Sequence, residues 1–291
     1  MTEDRSNEAR ALFAAIVRGD EDAARGLLAE RPDLARSVAP SAWAPDAGLK
    51  GVDDWSPLQA AIEHGMQALG LELLDAGADM DHRASNGRGP GHDAFEFGAE
   101  RVLQRLLRAG LSLDAALAAG LGDLDALQAI VDADPGAAHD DATDLEPLGW
   151  ASFGDQPGAI EFLVRAGARP TSDHLRMAAS CGHVRAARVL LDHGVDPMGR
   201  DASTGANALH VAASMRFSAC TLPVVELLLE RGADPAGTDA SGRTPFDVVT
   251  EVARRSGLDD ERAAAAVDLS DRLARSRRGD RGPDHDDPAS I

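Results

Sequence analysis

A chain in which one short segment recurs cannot bury its apolar residues copy by copy. It has to stack the copies, and that narrows the folds open to it. The clearest copy here runs from Leu227 to Val249 and reads LLLERGADPAGTDASGRTPFDVV. An apolar run ends in Arg231-Gly232, where glycine takes the left-handed conformation that closes a helix without a Cβ penalty. Asp239 to Arg243 carries the Asp, Ser and Gly of a tight turn. Thr244 is suited to cap a following helix, and Pro245 to its first position, where no backbone donor is needed. The segment reads as helix end, turn, helix start.

The same grammar returns along the chain. Apolar pairs recur at Leu27-Leu28, Leu73-Leu74, Leu106-Leu107, Ile130-Val131, Leu163-Val164, Leu190-Leu191 and Leu228-Leu229. Upstream of each lies a small-residue helix, such as PLQAAIEHG, LRMAASCG or ALHVAAS. Alanine lets neighbouring helices approach closely, while the leucines fill the layer between copies. Seven helix pairs are visible, and an eighth opens at Thr244. The junction resembles that between ankyrin repeats, units of about 33 residues with a Thr-Pro-Leu-His element. The resemblance spans roughly residues 8 to 275 and is most specific from Asp173 to Val249. It implies an all-α ankyrin-repeat solenoid of about eight helix-turn-helix repeats with short inter-repeat turns.

Measured against that unit, the copies are uneven. Helix ends fall at 31, 77, 110, 134, 167, 194 and 232, so a spacing of 33 appears twice, from 77 to 110 and from 134 to 167. The long first interval holds an inserted loop, Ser37–Asp54, with Trp43 in it. The short intervals after Gly110 and Gly167 imply trimmed turns, and Met215 to Pro223 reads as a small insertion in the seventh repeat. Repeats one and four exit through Arg31-Pro32 and Asp134-Pro135 in place of glycine. Residues 258–275 form a polar-faced helix expected to cap the array, and 276–291 an Arg/Asp/Gly/Pro-rich tail expected to be disordered.

Composition excludes several classes of function. The formal net charge is -20 and Lys50 is the only lysine, which argues against a nucleic-acid backbone as partner and favours a basic or neutral protein surface. Two cysteines, Cys181 and Cys220, are too few for a disulfide framework. The opening MTEDRSNEAR resembles neither a signal nor a transit peptide, and no run approaches the ~20 apolar residues of a membrane span. A cytoplasmic monomer without cofactor is expected.

Candidate chemistry is sparse. His92 and His210 occupy the histidine slot of the repeat, which the resemblance makes a structural position bonded to the neighbouring turn. Elsewhere the slot reads Gln59, Gly149, Arg176 and Asp247, a scatter that argues against a shared reaction. Gly87 to Gly91 lacks the Gly-Lys-Ser/Thr ending of a phosphate loop. His139-Asp140-Asp141 with Asp144, and Asp284 to Asp287, offer metal-type side chains without a defined loop geometry, so no metal is assigned. Cys181-Gly182-His183 sets a thiol beside an imidazole but lies in an inter-helix turn, and no hydrolase signature is present, so no catalytic residue is assigned. An enzyme with an atypical site at Asp140–Asp144 or Cys181–His183, or a ligand or metal sensor, is the competing class.

Partners of ankyrin-like arrays sit in the groove of the first helices and turn tips, and the two positions before the inter-helix glycine face that groove. The second of them reads Arg18, His64, Phe97, Leu121, Gly154, Cys181 and Met215, with Phe153 beside Gly154. From the third copy onward the series is apolar or small, where a merely solvated face would be polar. Trp55 and Trp43 are expected to frame one end, as aromatics favour binding hot spots. The expected function is therefore a non-catalytic scaffold that binds a protein partner through groove, turn tips and inserted loop.

Overall fold

Glycine and proline punctuation, alanine-rich first helices and leucine-rich second helices yield sixteen α-helices among the described residues of a computed structural model. The structure describes residues 3–40, 54–139, 145–214, 221–255 and 260–277, and no strand occurs among the described residues. The helices come in eight consecutive pairs: α1 (Glu3–Val17) with α2 (Glu21–Glu30), α3 (Pro57–Glu63) with α4 (Gln67–Asp75), α5 (Pro90–Glu96) with α6 (Glu100–Arg108), and α7 (Ala115–Leu121) with α8 (Leu124–Ala133). Then follow α9 (Pro147–Phe153) with α10 (Pro157–Arg165), α11 (Ser172–Cys181) with α12 (Val184–Asp192), α13 (Ala208–Ser214) with α14 (Thr221–Glu230), and α15 (Pro245–Arg255) with α16 (Asp260–Arg277).

The chain divides into two compact units, Met1–Leu117 with Asp140–Leu145, and Ala118–His139 with Glu146–Ile291. In the first, α1, α3 and α5 pack side by side as one layer and α2, α4 and α6 as a second. Its core is Leu12, Phe13, Ile16, Leu34, Leu58, Ile62, Leu69, Leu73 and Leu106. In the second unit α9, α11, α13 and α15 form one layer, and α8, α10, α12, α14 and α16 the other. Leu127, Leu163, Leu190, Leu228, Val249 and Leu273 lie between them. Each such leucine contributes about 1.5–3 kcal/mol on burial.

The first-layer helices have alanine where they touch. Ala60, Ala61, Ala94, Ala151, Ala178, Ala179, Ala212 and Ala213 have no exposed surface. In the second layer most apolar pairs turn one residue inward: the first member in Leu73, Leu106, Leu163 and Leu228, the second in Leu28 and Val131, while both Leu190 and Leu191 are buried. The two pairs that bury the second member lie on α2 and α8. These are also the two helices that exit into 3-10 turns, Pro32–Arg36 and Pro135–His139. Gly232 ends α14 with φ 90, the left-handed geometry its sequence position demands.

Two expected irregularities resolve differently. The Ser37–Asp54 loop is closed at its base, since the Ala39 N–H donates to Trp55 O at 2.8 Å and the Asp54 N–H to Ala39 O at 3.1 Å. Trp43, within it, lies outside the described residues. Of the span Met215–Pro223, expected to hold an insertion of about four residues, Thr221, Leu222 and Pro223 form the first turn of α14. Proline is tolerated there because a first-turn N–H has no intrahelical acceptor. Met215 and Cys220 lie outside the described residues.

Candidate partner-binding face

Each first-layer helix has a start and an end with different chemistry. At the starts, the third helical residue caps the chain and reaches a neighbouring repeat. Gln59 takes the Ser56 N–H on its Oε1 at 3.2 Å, while its Nε2 donates to Asp93 Oδ2 at 2.9 Å and Arg88 O at 3.3 Å. His92 Nδ1 accepts the Gly89 N–H at 3.2 Å, and Nε2 donates to Asp114 at 3.1 Å. His174 repeats the pattern, with Nδ1 on the Thr171 N–H at 2.9 Å and Nε2 on Glu146 Oε1 at 2.7 Å. His210 Nε2 donates to Arg243 O in the following turn at 3.0 Å. A ring nitrogen that accepts a backbone N–H carries no proton, so the tautomer is set by these bonds. The imidazoles are buried structural links: His92 is 1% exposed, His174 4% and His210 2%.

This corrects one position. The slot in the sixth repeat belongs to His174, not Arg176. Inner helix α11 has ten residues where α3, α5 and α9 have seven, so counting back from Gly182 lands on Arg176 whereas the cap at Thr171 defines His174. Arg176 instead pairs with Asp173 at 2.6 Å and Asp201 at 3.1 Å.

The links polarise their partners. Burial works to raise the Asp114 carboxyl, but the His92 hydrogen bond, the Leu117 N–H and Arg83 outweigh it and hold it at about 2. Asp93 goes the other way: burial pushes it up despite Gln59 and Arg88. That buried carboxylate, bound to Arg88 Nη2 at 3.0 Å, was not foreseen; its signal was a lone acid in the otherwise apolar start of α5. In the turn tips the carboxylates are satisfied locally. The Ser203 and Thr204 donors hold Asp201 far below the usual range. Asp239 takes the N–H groups of Ser241 and Arg243 at 2.8 and 2.9 Å.

At the helix ends the side chains are freer. In the first unit His64 is exposed and Phe97 is 47% exposed, while Trp55 is half-buried at the base of the inserted loop. In the second unit Leu121, Phe153 and Cys181 are half-buried at equivalent ends of α7, α9 and α11. Met177, one turn before Cys181 and 40% exposed, belongs to the same face and was missed because the extra length of α11 hid its register. The position after each end is left-handed: Gly65, Gly98, Gly122 and Gly182, with Asp155 at φ 52 taking that place after α9. The Asp155 carboxylate accepts the Ala186 N–H of α12 at 2.8 Å, supplying from one repeat the cap that the next lacks.

The competing chemical sites look different in three dimensions. Burial pushes the Cys181 thiol up, the opposite of an activated nucleophile, and its sulfur lies 3.6 Å from Ser180 Oγ. His183 turns Nδ1 towards Ser152 O at 3.4 Å. Asp140 to Asp144 lie outside the described residues. No group of three or more His, Cys, Asp and Glu is placed to hold a metal among the described residues. No described helix is long and apolar enough to cross a membrane.

Paired helices stacked in two layers, with capping links from repeat to repeat, define a helical repeat protein. Residues 150–239 match the family model for ankyrin repeats, in three copies, and that part of the chain consists of ankyrin repeats. No curated protein gives a significant match to the chain. Ankyrin repeats are in general protein–protein interaction modules and typically non-catalytic.

Proposed function

We propose that the chain is a non-catalytic recognition scaffold that holds a protein partner through its inner-helix ends, turn tips and inserted loop. The observation that carries this reading is the series Leu121, Phe153 and Cys181 at the ends of α7, α9 and α11, joined by Met177 one turn earlier on α11. Apolar side chains kept partly in water at the same end of successive inner helices are the composition of an interface and not of a solvated face. The self-satisfied turn carboxylates support it too, because a rigid edge loses little freedom on association. The ankyrin match over 150–239 falls on this unit.

The test is affinity capture from cells that make the protein, comparing the native chain with a Leu121→Ser, Phe153→Ser, Met177→Ser variant. Helix content and melting should change little, since none of the three is fully buried. A specifically enriched protein present with the native chain should be lost with the variant. Equal recovery from both would sink the proposal.

A further inference from the structure

The helix ends of the first unit carry a chemistry different from the apolar series of the second. Glu63 and His64 stand at the end of α3, and Glu96 and Phe97 at the end of α5, so that equivalent positions are 33 residues apart on helices packed side by side. All four side chains are exposed. The adjoining Gly65 and Gly98 leave open space, for a Cβ on either would meet nothing within 4 Å. Phe97, 47% exposed, presents a large apolar surface in this patch.

The charges around the ring are unequal in their partners. Glu96 is drawn to Arg88, which also holds the buried Asp93. The Glu63 carboxylate has no ion pair or side-chain hydrogen bond among the described residues. Loss of water at the helix ends raises its pKa against the pull of His64 and Arg88, with Asp93 and Glu96 adding repulsion. A phenyl face attracts a cation within about 6 Å of its centre, and Arg stacks there better than Lys because its guanidinium is flat. Packed helices lie about 8–10 Å apart, so a carboxylate at the end of one and a ring at the end of the next can flank a single guanidinium.

We propose that the ends of α3 and α5 form a seat for an arginine of a basic segment in a partner protein, its guanidinium stacked on Phe97 and paired with Glu63. This deepens the reading of the inner-helix ends as a recognition face, but it uses none of the second-unit residues that test that reading.

The probe is the peptide Gly-Ala-Leu-Arg-Ala-Leu-Gly-amide, labelled with fluorescein on its N-terminal amine, against the full chain at low salt, with anisotropy giving affinity and amide NMR shifts giving position. The companion peptide has citrulline for arginine, which keeps the flat group and removes the charge. The arginine peptide should bind about tenfold tighter than the citrulline one, and its shifts should centre on Gly65, Phe97 and Gly98. Glu63→Gln and Phe97→Leu should each weaken it about three- to tenfold, while Glu161→Gln, an exposed acid of the second unit, leaves it unchanged. Equal weakening by Glu161→Gln, or shifts spread over the acidic surface, would show bulk charge attraction and overturn the seat. If the arginine peptide behaves as expected but the Leu121, Phe153 and Met177 variant keeps full capture, the seat stands and the second-unit reading falls; the reverse pattern removes the seat alone.

Discussion

His210 joins two repeats through one proton. Its Nε2–H reaches Arg243 O while Asn207 packs against Nδ1, and burial is the main cause that lowers its pKa, beyond what the Arg243 carbonyl and Asp239 recover. A lowered folded-state pKa means that the unfolded chain binds the proton more readily. The contribution of this group to stability is therefore complete above the unfolded value, about 6.5, and is lost as pH falls through the lowered folded value. His210→Gln should remove that dependence while keeping the link, since Gln59 makes the equivalent bonds to Ser56 N and Arg88 O. Urea unfolding at pH 7.5 and 5.5 checks it: the native chain should lose more stability than the variant on acidification, and parallel losses would refute the assignment. Asp155 is the second instructive residue. With φ 52 and a hydrogen bond to Ala186 N, it serves both as turn and as cap for α12. Asp155→Asn should be nearly neutral and Asp155→Gly mildly destabilising, because relief of the left-handed backbone offsets the lost cap. Asp155→Ala loses the cap without that relief and should cost about 1–2 kcal/mol by thermal or urea unfolding.

Elements in this protein are interchangeable in kind and unequal in length. Ten residues in α11 against seven in α3, α5 and α9 move Met177 onto the exposed face and Arg176 away from the histidine slot. Packing between elements is equally specific. Gly70 lies in the middle of α4, where alanine would normally add about 1 kcal/mol of helix stability. Here a Cβ would come within 3.0 Å of Val102 Cγ2 on α6. Val102 is fully buried and β-branched, so it yields poorly. Gly70→Ala should therefore fail to stabilise, and Val102→Ala in the same chain should recover part of the expected gain. A double-mutant cycle by urea unfolding measures the coupling; strict additivity would mean that the two helices are not in limiting contact.

For the whole molecule, charge sets how a partner arrives. A net charge of -20 gives a long-range attraction for basic proteins that acts mainly on the rate of encounter. Screening shortens to about 8 Å at physiological salt and about 3 Å at 1 M. Stopped-flow or surface-based association with the captured partner should slow at least about tenfold between low and high salt, while dissociation changes less. A salt-independent on-rate would leave the apolar series as the sole basis of recognition.

The sequence by itself determined the pairing of helices, their order and the places where glycine must turn the chain, because caps, left-handed glycines and apolar periodicity are local and are written within a few residues of where they act. Gly232, Thr244 and Pro245 carry the same meaning in isolation as in the fold. Tertiary structure alone decided which members of the leucine pairs are buried, that His174 and not Arg176 joins its neighbour, that Asp155 caps a helix in the next repeat, and that Asp93 is an acid held inside by Gln59 and Arg88. Each of these depends on a residue some thirty positions away, brought near only when the repeats stack. The candidate binding face shares that dependence: Phe97, Leu121, Phe153 and Cys181 were legible as a spacing, but how much water each keeps is set by the helix packed beside it.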